Sequence, residues 1–142
     1  ADCMLGRAER AYKTLKMISC DNPSNPDNGA EPYAVSNMYM GPENKYIAGY
    51  APMSWITGTA GWLYRCVTEF MCGIKPTAYG LEISPCLPEN WNGITVKRRF
   101  RGETYDIRYE KADRKEVICD GKNVKTLPLT GKGSVHKVLC RY

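Results

Sequence analysis

Thr57 and Gly58 stand immediately before a predicted helix, a position that can bind an anion. Backbone N–H groups and the positive end of the helix dipole lie at a helix N-terminus and attract negative charge. The Thr57 hydroxyl adds a donor, and Gly58 has no side chain to keep an anion such as phosphate from the backbone. The alternative is structural: Thr57 caps the helix, and Gly58 and Gly61 allow close packing of another helix.

The helix predicted after Gly58 runs from Thr59 to Met71 and is apolar on nearly all of its faces. Such a helix is normally buried between other helices. Gly73 and Pro76 end it, because glycine favours the C-terminal cap and proline cannot continue a helix. The remaining helical residues are too few to bury it, so we expect partners that this chain does not contain. Its apolar residues include Trp62, Leu63, Cys66, Val67, Phe70 and Met71.

The rest of the chain divides into helical and strand-like regions. Apolar residues at three- and four-residue spacing predict a first helix from Met4 to Ile18, followed by a loop over residues 20–30. The apolar stretch Tyr33–Met40 predicts one or two helical turns. After Pro76 the pattern predicts short strands, with a hairpin that turns at Gly102. These strands are Leu81–Ile83, Ile94–Phe100, Thr104–Tyr109, Glu116–Cys119 and Val135–Leu139.

Helices followed by strands, without alternation, predict an α+β protein with two structural units. We place the first, helical unit at residues 1–76 and the second, strand-rich unit at residues 77–142, with the boundary near residues 74–80. The length of 142 residues and the 43% hydrophobic content are typical of a globular protein. No apolar run is long enough to span a membrane, and the N-terminus does not resemble a signal peptide.

The cysteines and the basic residues favour structural roles. The seven cysteines include no C-x-x-C pair and no histidine at zinc-ligand spacing, so we predict no metal site and reduced cysteines in the core. Reduced cysteines favour a cytoplasmic protein. His136, the only histidine, lies in a late strand and is assigned a structural role.

Much of the net charge of +5 comes from Lys97, Arg98, Arg99 and Arg101. This cluster can contact nucleic acid, but it also fits a strand that turns Val96 and Phe100 inward and its charges outward. Arg98 breaks that alternation. We favour the second interpretation and predict that the protein binds no nucleic acid and no membrane.

Five ordered segments are similar to one protein family. The chain resembles the C-terminal end of the glycoside phosphorylases related to cellobiose phosphorylase (glycoside hydrolase family 94), and the resemblance covers nearly all of its length. The segments are Glu31-Pro32-Tyr33, the run from Ser54 to Trp62, Gly73-Ile74-Lys75-Pro76, the run from Gly80 to Pro88, and the run from Arg98 to Tyr105.

The resemblance implies the last helices of an (α/α)6 barrel followed by an antiparallel, β-sandwich-like domain. It implies an enzyme that cleaves a β-glycosidic bond with inorganic phosphate and inverts the anomeric centre. The family's general acid is an Asp upstream of the matched region, so this chain would hold no catalytic residue and be inactive alone. The equivalents of Thr57 and Gly58 contact phosphate in the family. Asn37 stands where the family often has a phosphate-binding Gln. Because Asn is one methylene shorter, either the backbone shifts inward, or the contact passes through water, or the chain belongs to a subfamily with another acceptor.

The resemblance also implies which molecules the chain meets. These are a β-linked disaccharide, phosphate as co-substrate with no other cofactor, and either the remainder of the barrel or a homodimer partner. A competing hypothesis is a stand-alone β-sandwich module that binds carbohydrate or has a structural role, without catalysis. A polar surface over Trp55–Met71 would favour this module, whereas an exposed apolar surface there favours the enzyme.

Overall fold

The computed structural model describes residues 1–21, 28–31, 33–55, 58–91 and 93–142. A few helices are followed by two sheets, so the chain is α+β, as predicted. The helices are the 3₁₀-helix Asp2–Leu5, α1 (Ala8–Met17) and α2 (Thr59–Arg65), and α2 continues as the π-helix Cys66–Met71. The strands are β1 (Ile74–Pro76), β2 (Leu81–Ile83), β3 (Thr95–Phe100), β4 (Glu103–Glu110), β5 (Glu116–Cys119), β6 (Lys122–Asn123), β7 (Thr126–Leu127) and β8 (Val135–Arg141).

The strands form a three-stranded sheet of order β1-β2-β7 and a five-stranded sheet of order β3-β4-β8-β5-β6. The sequence predicted β2, β3, β4, β5 and β8, but not β1, β6 and β7, which have only two or three residues each. The prediction of an antiparallel domain is wrong for one pair, because β4 and β8 run parallel. β8 follows a long connection rather than a hairpin, so no tight turn dictates its direction.

The predicted hairpin at Gly102 is confirmed. Thr95 pairs with Arg108, and Phe100 pairs with Glu103 at the turn. The two turn residues, Arg101 and Gly102, have φ angles of 50° and 86°. Positive φ at both central positions is the geometry of a type I′ turn, whose twist matches that of the flanking strands. The turn therefore fixes the register that sends alternate side chains of β3 and β4 to the core.

One hydrophobic core joins the two sheets and the end of the π-helix. Because side chains alternate along a strand, every second residue of β4 is buried, whereas the residues between them are half-buried or, at Arg108, exposed. Arg98, whose place the sequence left unexplained, is on the inner face of β3. It donates a hydrogen bond to the Tyr64 hydroxyl, and its guanidinium lies 5.8 Å from the centre of the Tyr64 ring. The core includes Met71, Cys72, Ile74, Leu81, Tyr105, Ile107, Tyr109, Leu127, Val138 and Cys140.

The π-helix passes into β1 through Gly73, the predicted C-terminal cap, which has a φ of 70°. A Cβ at this position would lie 2.0 Å from the Ser84 carbonyl oxygen, so only glycine fits without a shift of the backbone. The carbonyl of Met71 accepts from the Cys86 N–H at 2.9 Å, and the carbonyl of Gly73 accepts from the Ser84 N–H at 3.0 Å. The helix end is thus bonded to the strand-rich part of the chain.

Two helix predictions need correction. The first helix is interrupted at Gly6, whose φ of 69° ends the 3₁₀-helix before α1 begins. The described part of the stretch Tyr33–Met40 contains no helix. Instead it is extended beside a later segment, because the Asn37 N–H donates to the Met53 carbonyl at 2.8 Å and the Met40 N–H donates to the Tyr50 carbonyl at 2.9 Å. These partners are more than four residues away and exclude a helix.

The helix Thr59–Met71 forms as predicted but is not buried within this chain. Trp62 is 62% exposed and Tyr64 is 55% exposed. All seven cysteines lie among the described residues and are free, yet Cys20 and Cys66 are exposed rather than in the core. Among the described residues, no helix combines the length and the apolar character that crossing a membrane requires.

We predict that Tyr109→Phe weakens the attachment of the helix to the sheet. The Tyr109 hydroxyl donates to the Cys72 carbonyl at 2.7 Å, and Tyr109 is 1% exposed. Loss of the donor leaves a buried acceptor unsatisfied, so the free energy of unfolding should fall by about 1–3 kcal/mol. Chemical denaturation of the protein measures this. Tyr79→Phe, at an 85% exposed tyrosine, is the control, and equal stability of the two variants would contradict the prediction.

Candidate phosphate site

Gly58 occupies the N-cap position of α2, with φ −88° and ψ −1°, and no side chain caps the helix. Thr57 lies outside the described residues. The structural alternative, in which Thr57 caps the helix, therefore stays a prediction. The positive end of the helix dipole lies at this N-terminus and favours an anion there.

The space around Gly58 is open. A Cβ on Gly58 would meet only the Trp62 Cδ1 atom, at 3.9 Å, and a Cβ on Gly61 would meet nothing within 4 Å. Gly58 also has a φ that any residue adopts. Nothing in the described residues therefore requires glycine here for packing or for backbone conformation.

Asn37 is exposed and lies beside the segment that leads to Thr57 and Gly58. Its backbone N–H donates to the Met53 carbonyl, and the hydroxyl of buried Ser36 donates to the Ala51 carbonyl at 2.8 Å. These bonds join two stretches that are about 15 residues apart in sequence. The structure thus brings Asn37 next to residue 53, four positions before Thr57.

Glu31, which the sequence marks only as part of a family motif, contacts the segment before Gly58. One oxygen of its carboxylate accepts a hydrogen bond from the Ser54 hydroxyl, and the other accepts one from the indole N–H of Trp55. Ser54 is 8% exposed, whereas Trp55 is 83% exposed. Side chains more than twenty residues away can meet only in the folded chain, so the residue types alone gave no signal for these contacts.

A second cluster of ionisable groups surrounds His136 on the inner face of the five-stranded sheet. The Nε2 atom of His136 is 2.9 Å from Glu103, and its Nδ1 atom is 2.7 Å from Asp120. Glu103, which is 2% exposed, also accepts from the backbone N–H groups of Thr130 and Gly131, both at 2.7 Å. The ring of Tyr105 stacks on His136 with 4.9 Å between ring centres.

The pKa shifts of this cluster favour a charged triad. Burial alone would lower the pKa of His136, but Asp120 and Glu103 outweigh it, and the pKa of His136 is raised. Burial would raise the pKa of Glu103, but the hydrogen bonds from Gly131, His136, Thr130 and Tyr105 lower it. The bond to His136 chiefly lowers the pKa of Asp120. The two carboxylates therefore favour the protonated form of His136, which lies between them.

Cys119, Asp120 and His136 also place three potential metal-ligand atoms within 4.8 Å of one another. The sequence gives no metal-ligand spacing for this group, because His136 lies 16 residues after Asp120. Metal binding needs a lone pair on a histidine nitrogen, whereas both nitrogens of His136 face carboxylates. It also needs a thiolate, and burial, followed by Asp120, raises the pKa of Cys119 to about 11. The geometry therefore favours an ion-paired cluster.

The chain is similar to known carbohydrate-active proteins over nearly its whole length. The family model "Glycosyl hydrolase 94 superfamily, catalytic domain" matches residues 1–73, and "Glycosyl hydrolase family 65, C-terminal domain" matches residues 74–126. Solabiose phosphorylase of Paenibacillus borealis is 40% identical across 97% of this chain, which corresponds to 19% of the relative.

Two further relatives are also phosphorylases. N,N'-diacetylchitobiose phosphorylase of Vibrio proteolyticus is 36% identical across 92% of the chain. Cellobionic acid phosphorylase of Neurospora crassa is 34% identical across 84%. The chain spans only 16% of the length of each of these two relatives.

We predict that the His136 cluster makes stability depend on pH in a defined direction. A raised histidine pKa stabilises the fold fully below the unfolded value of about 6.5, and this contribution is lost as pH rises through the folded pKa. The lowered carboxylate pKa values stabilise the fold above about 4.3, and this is lost as pH falls through their folded values. The stabilisation should therefore be largest between about pH 4.3 and 6.5.

Denaturation of the native protein and of His136→Gln across pH tests this. The difference in unfolding free energy should peak in the mildly acidic window and shrink at higher pH. Lys137→Gln, at the next residue of β8, is the control and should follow the native profile. A pH-independent difference for His136→Gln would show that its charge contributes nothing.

Proposed function

This chain belongs to the glycosyl hydrolase 94 superfamily, and we propose that it is the C-terminal part of a phosphorylase acting on a β-linked disaccharide or oligosaccharide. The observation that carries the proposal is the 40% identity to a disaccharide phosphorylase across 97% of the chain. The exposed Trp55 and Trp62 also support it, because a stand-alone β module would present a polar surface there.

In the proposed reaction, an oxygen of inorganic phosphate attacks the anomeric carbon while the bond to the leaving sugar oxygen breaks. A carboxylic acid protonates that oxygen, so the products are a free sugar and a sugar 1-phosphate of inverted configuration. An inverting hydrolase needs a second carboxylate to activate water, but phosphate is already an anion and needs donors that align it. The acid would be an Asp outside this chain.

Thr57, Gly58 and Asn37 would supply donors for the phosphate. The Thr57 hydroxyl and the Gly58 N–H would bind it at the start of α2, where the helix dipole favours an anion. The open space at Gly58 supports this role. The Asn37 amide is one methylene shorter than the Gln often found in the family, so we propose that it binds the phosphate through a bridging water.

The architecture follows from the same assignment. Residues 1–76 would be the last helices of an (α/α)6 barrel, and residues 77–142 would be the β-sandwich-like domain that follows it. The remainder of the barrel, or a homodimer partner, would cover the exposed apolar residues of α2. Phosphate would be the co-substrate without any other cofactor, and the enzyme would work in the cytoplasm.

We predict that the complete protein containing this chain forms sugar 1-phosphate from a β-linked disaccharide and inorganic phosphate, and that the 142-residue chain alone does not. General acid catalysis contributes about 10²–10⁴-fold, and the proposed acid lies outside the chain. A phosphate-release or sugar 1-phosphate assay on a panel of disaccharides measures both proteins. Hydrolysis without use of phosphate by the complete protein, or phosphorolysis by the isolated chain, would contradict the proposal.

We predict that Thr57→Val lowers kcat/KM for phosphate about ten- to a hundred-fold, because a hydrogen bond to a charged group is worth about 1.5–3 kcal/mol. Gly58→Ala should also weaken phosphate use, since its methyl group would fill the open approach, but it should leave the melting temperature unchanged or higher. Gly61→Ala, where the added methyl also meets nothing, is the matched control. A variant Thr57→Val with lower thermal stability and unchanged phosphate kinetics would restore the purely structural alternative.

A further inference from the structure

We propose that Glu31 is a positioning residue of the phosphate site, which holds the chain on the N-terminal side of Thr57 and Gly58. This inference rests on the proposed function, because it concerns the geometry of the same site. Glu31 would not touch the reacting atoms. It would act through Ser54 and Trp55, the two residues bonded to its carboxylate.

The contacts of Glu31 fix two consecutive residues at once. Its two oxygens accept from different donors, the Ser54 hydroxyl and the Trp55 indole N–H. Two bonds to one planar carboxylate restrain both the place and the direction of the segment. Trp55 is 83% exposed, so packing within this chain does little to hold its side chain, and the hydrogen bond to Glu31 restrains it.

The restraint lies close to the donors along the backbone. Gly58 follows Trp55 by three residues, and a residue spans at most about 3.6 Å, so the position of Trp55 limits where the chain enters α2. The segment is also held from the side, because the Met53 carbonyl accepts from the Asn37 N–H. On the other side of Thr57, the Gly58 carbonyl accepts from the Trp62 N–H at 3.1 Å as α2 begins. Glu31 thus completes the restraint on the N-terminal side.

The charge of Glu31 argues for positioning and against direct binding. A carboxylate near an anion site repels phosphate, so it is tolerated only when donors engage it. Both oxygens of Glu31 are engaged by Ser54 and Trp55. Phosphate binding then benefits from the geometry that the bonds impose, while the bonds reduce the exposed negative charge.

The test uses the complete protein and measures kcat and KM for phosphate and for the disaccharide, together with the melting temperature. Glu31→Ala removes both acceptors and should lower kcat/KM for phosphate about ten-fold or more, mainly through KM. Glu31→Gln should recover a large part of the loss, because its amide oxygen still accepts from Trp55 and its amide N–H can donate to the Ser54 hydroxyl. Glu82→Ala, at an exposed carboxylate in β2, should match the native protein.

A double-mutant cycle adds a readout that a merely structural residue would not give. If Glu31 acts through Ser54, Glu31→Ala combined with Ser54→Ala should raise the phosphate KM by less than the product of the single effects. An unchanged phosphate KM in a folded Glu31→Ala protein would overturn the inference. So would equal losses for phosphate and disaccharide with a lowered melting temperature, or multiplicative effects in the cycle.

The same experiment separates this inference from the proposed function. Absence of phosphorolysis by the native complete protein would refute the proposed function itself. Native activity with a phosphate KM that responds to Thr57→Val but not to Glu31→Ala would leave that function standing and remove Glu31 from the site. If Glu31→Ala does not fold, Glu31→Gln and Trp55→Phe carry the test, and titration of inorganic phosphate by calorimetry replaces the kinetics.

Discussion

The bonding of the helix end to the sheets is the constraint on which the other features depend. The last carbonyl groups of a helix have no partner within it, and a buried acceptor left without a donor costs about 1–3 kcal/mol. Here the carbonyls of Met71, Cys72 and Gly73 receive donors from the strand-rich part of the chain. The direction of α2, and with it the position of Gly58, is therefore fixed by residues that the phosphate would never touch. In the proposed function, the strand-rich unit would act on the phosphate site through this junction.

The same requirement explains why the His136 cluster, despite its shifted pKa values, is not the candidate active site. Glu103 has four donors and His136 has a carboxylate on each side. A group whose lone pairs and protons are all engaged within the protein has none left for a substrate. The cluster instead attaches the connection before β8 to the start of β4, where burial demands that every polar group be paired. Perturbed pKa values indicate catalysis only when the perturbed group also faces open space.

Local patterns in the sequence predicted what local interactions determine. Alternating apolar and polar residues predicted the main strands, and the apolar residues predicted the helix Thr59–Met71. Glycines predicted the hairpin turn at Gly102 and the end of the helix at Gly73. The predictions that were wrong or missing concern contacts between residues far apart in the sequence. Tyr33–Met40 has apolar residues at helical spacing, but its backbone bonds to residues 50 and 53. The parallel pairing of β4 with β8 and the partners of His136 and Arg98 depend on topology. For the site, the position of Gly58 at the helix start was predictable, whereas the contacts of Glu31 were not.

An anion site at a helix N-terminus needs more than the helix. The helix dipole corresponds to roughly half a charge and acts mainly within the first turn, so the donors must be held to a fraction of an ångström for their bonds to add to it. Hydrogen bonds restrain the stretch from Met53 to Gly73 near both of its ends. Near Met53 they come from Asn37 and Glu31. Near Gly73 they come from Tyr109, Ser84 and Cys86. The hydrogen bonds near Met53 position the backbone before Gly58, and those near Gly73 fix the direction of the helix after it. Because the two sets of bonds use different residues, a donor at Gly58 would be placed only when both are intact. In the proposed function, the strand-rich unit would thus be a physical requirement of phosphate binding, although it supplies none of the proposed donors.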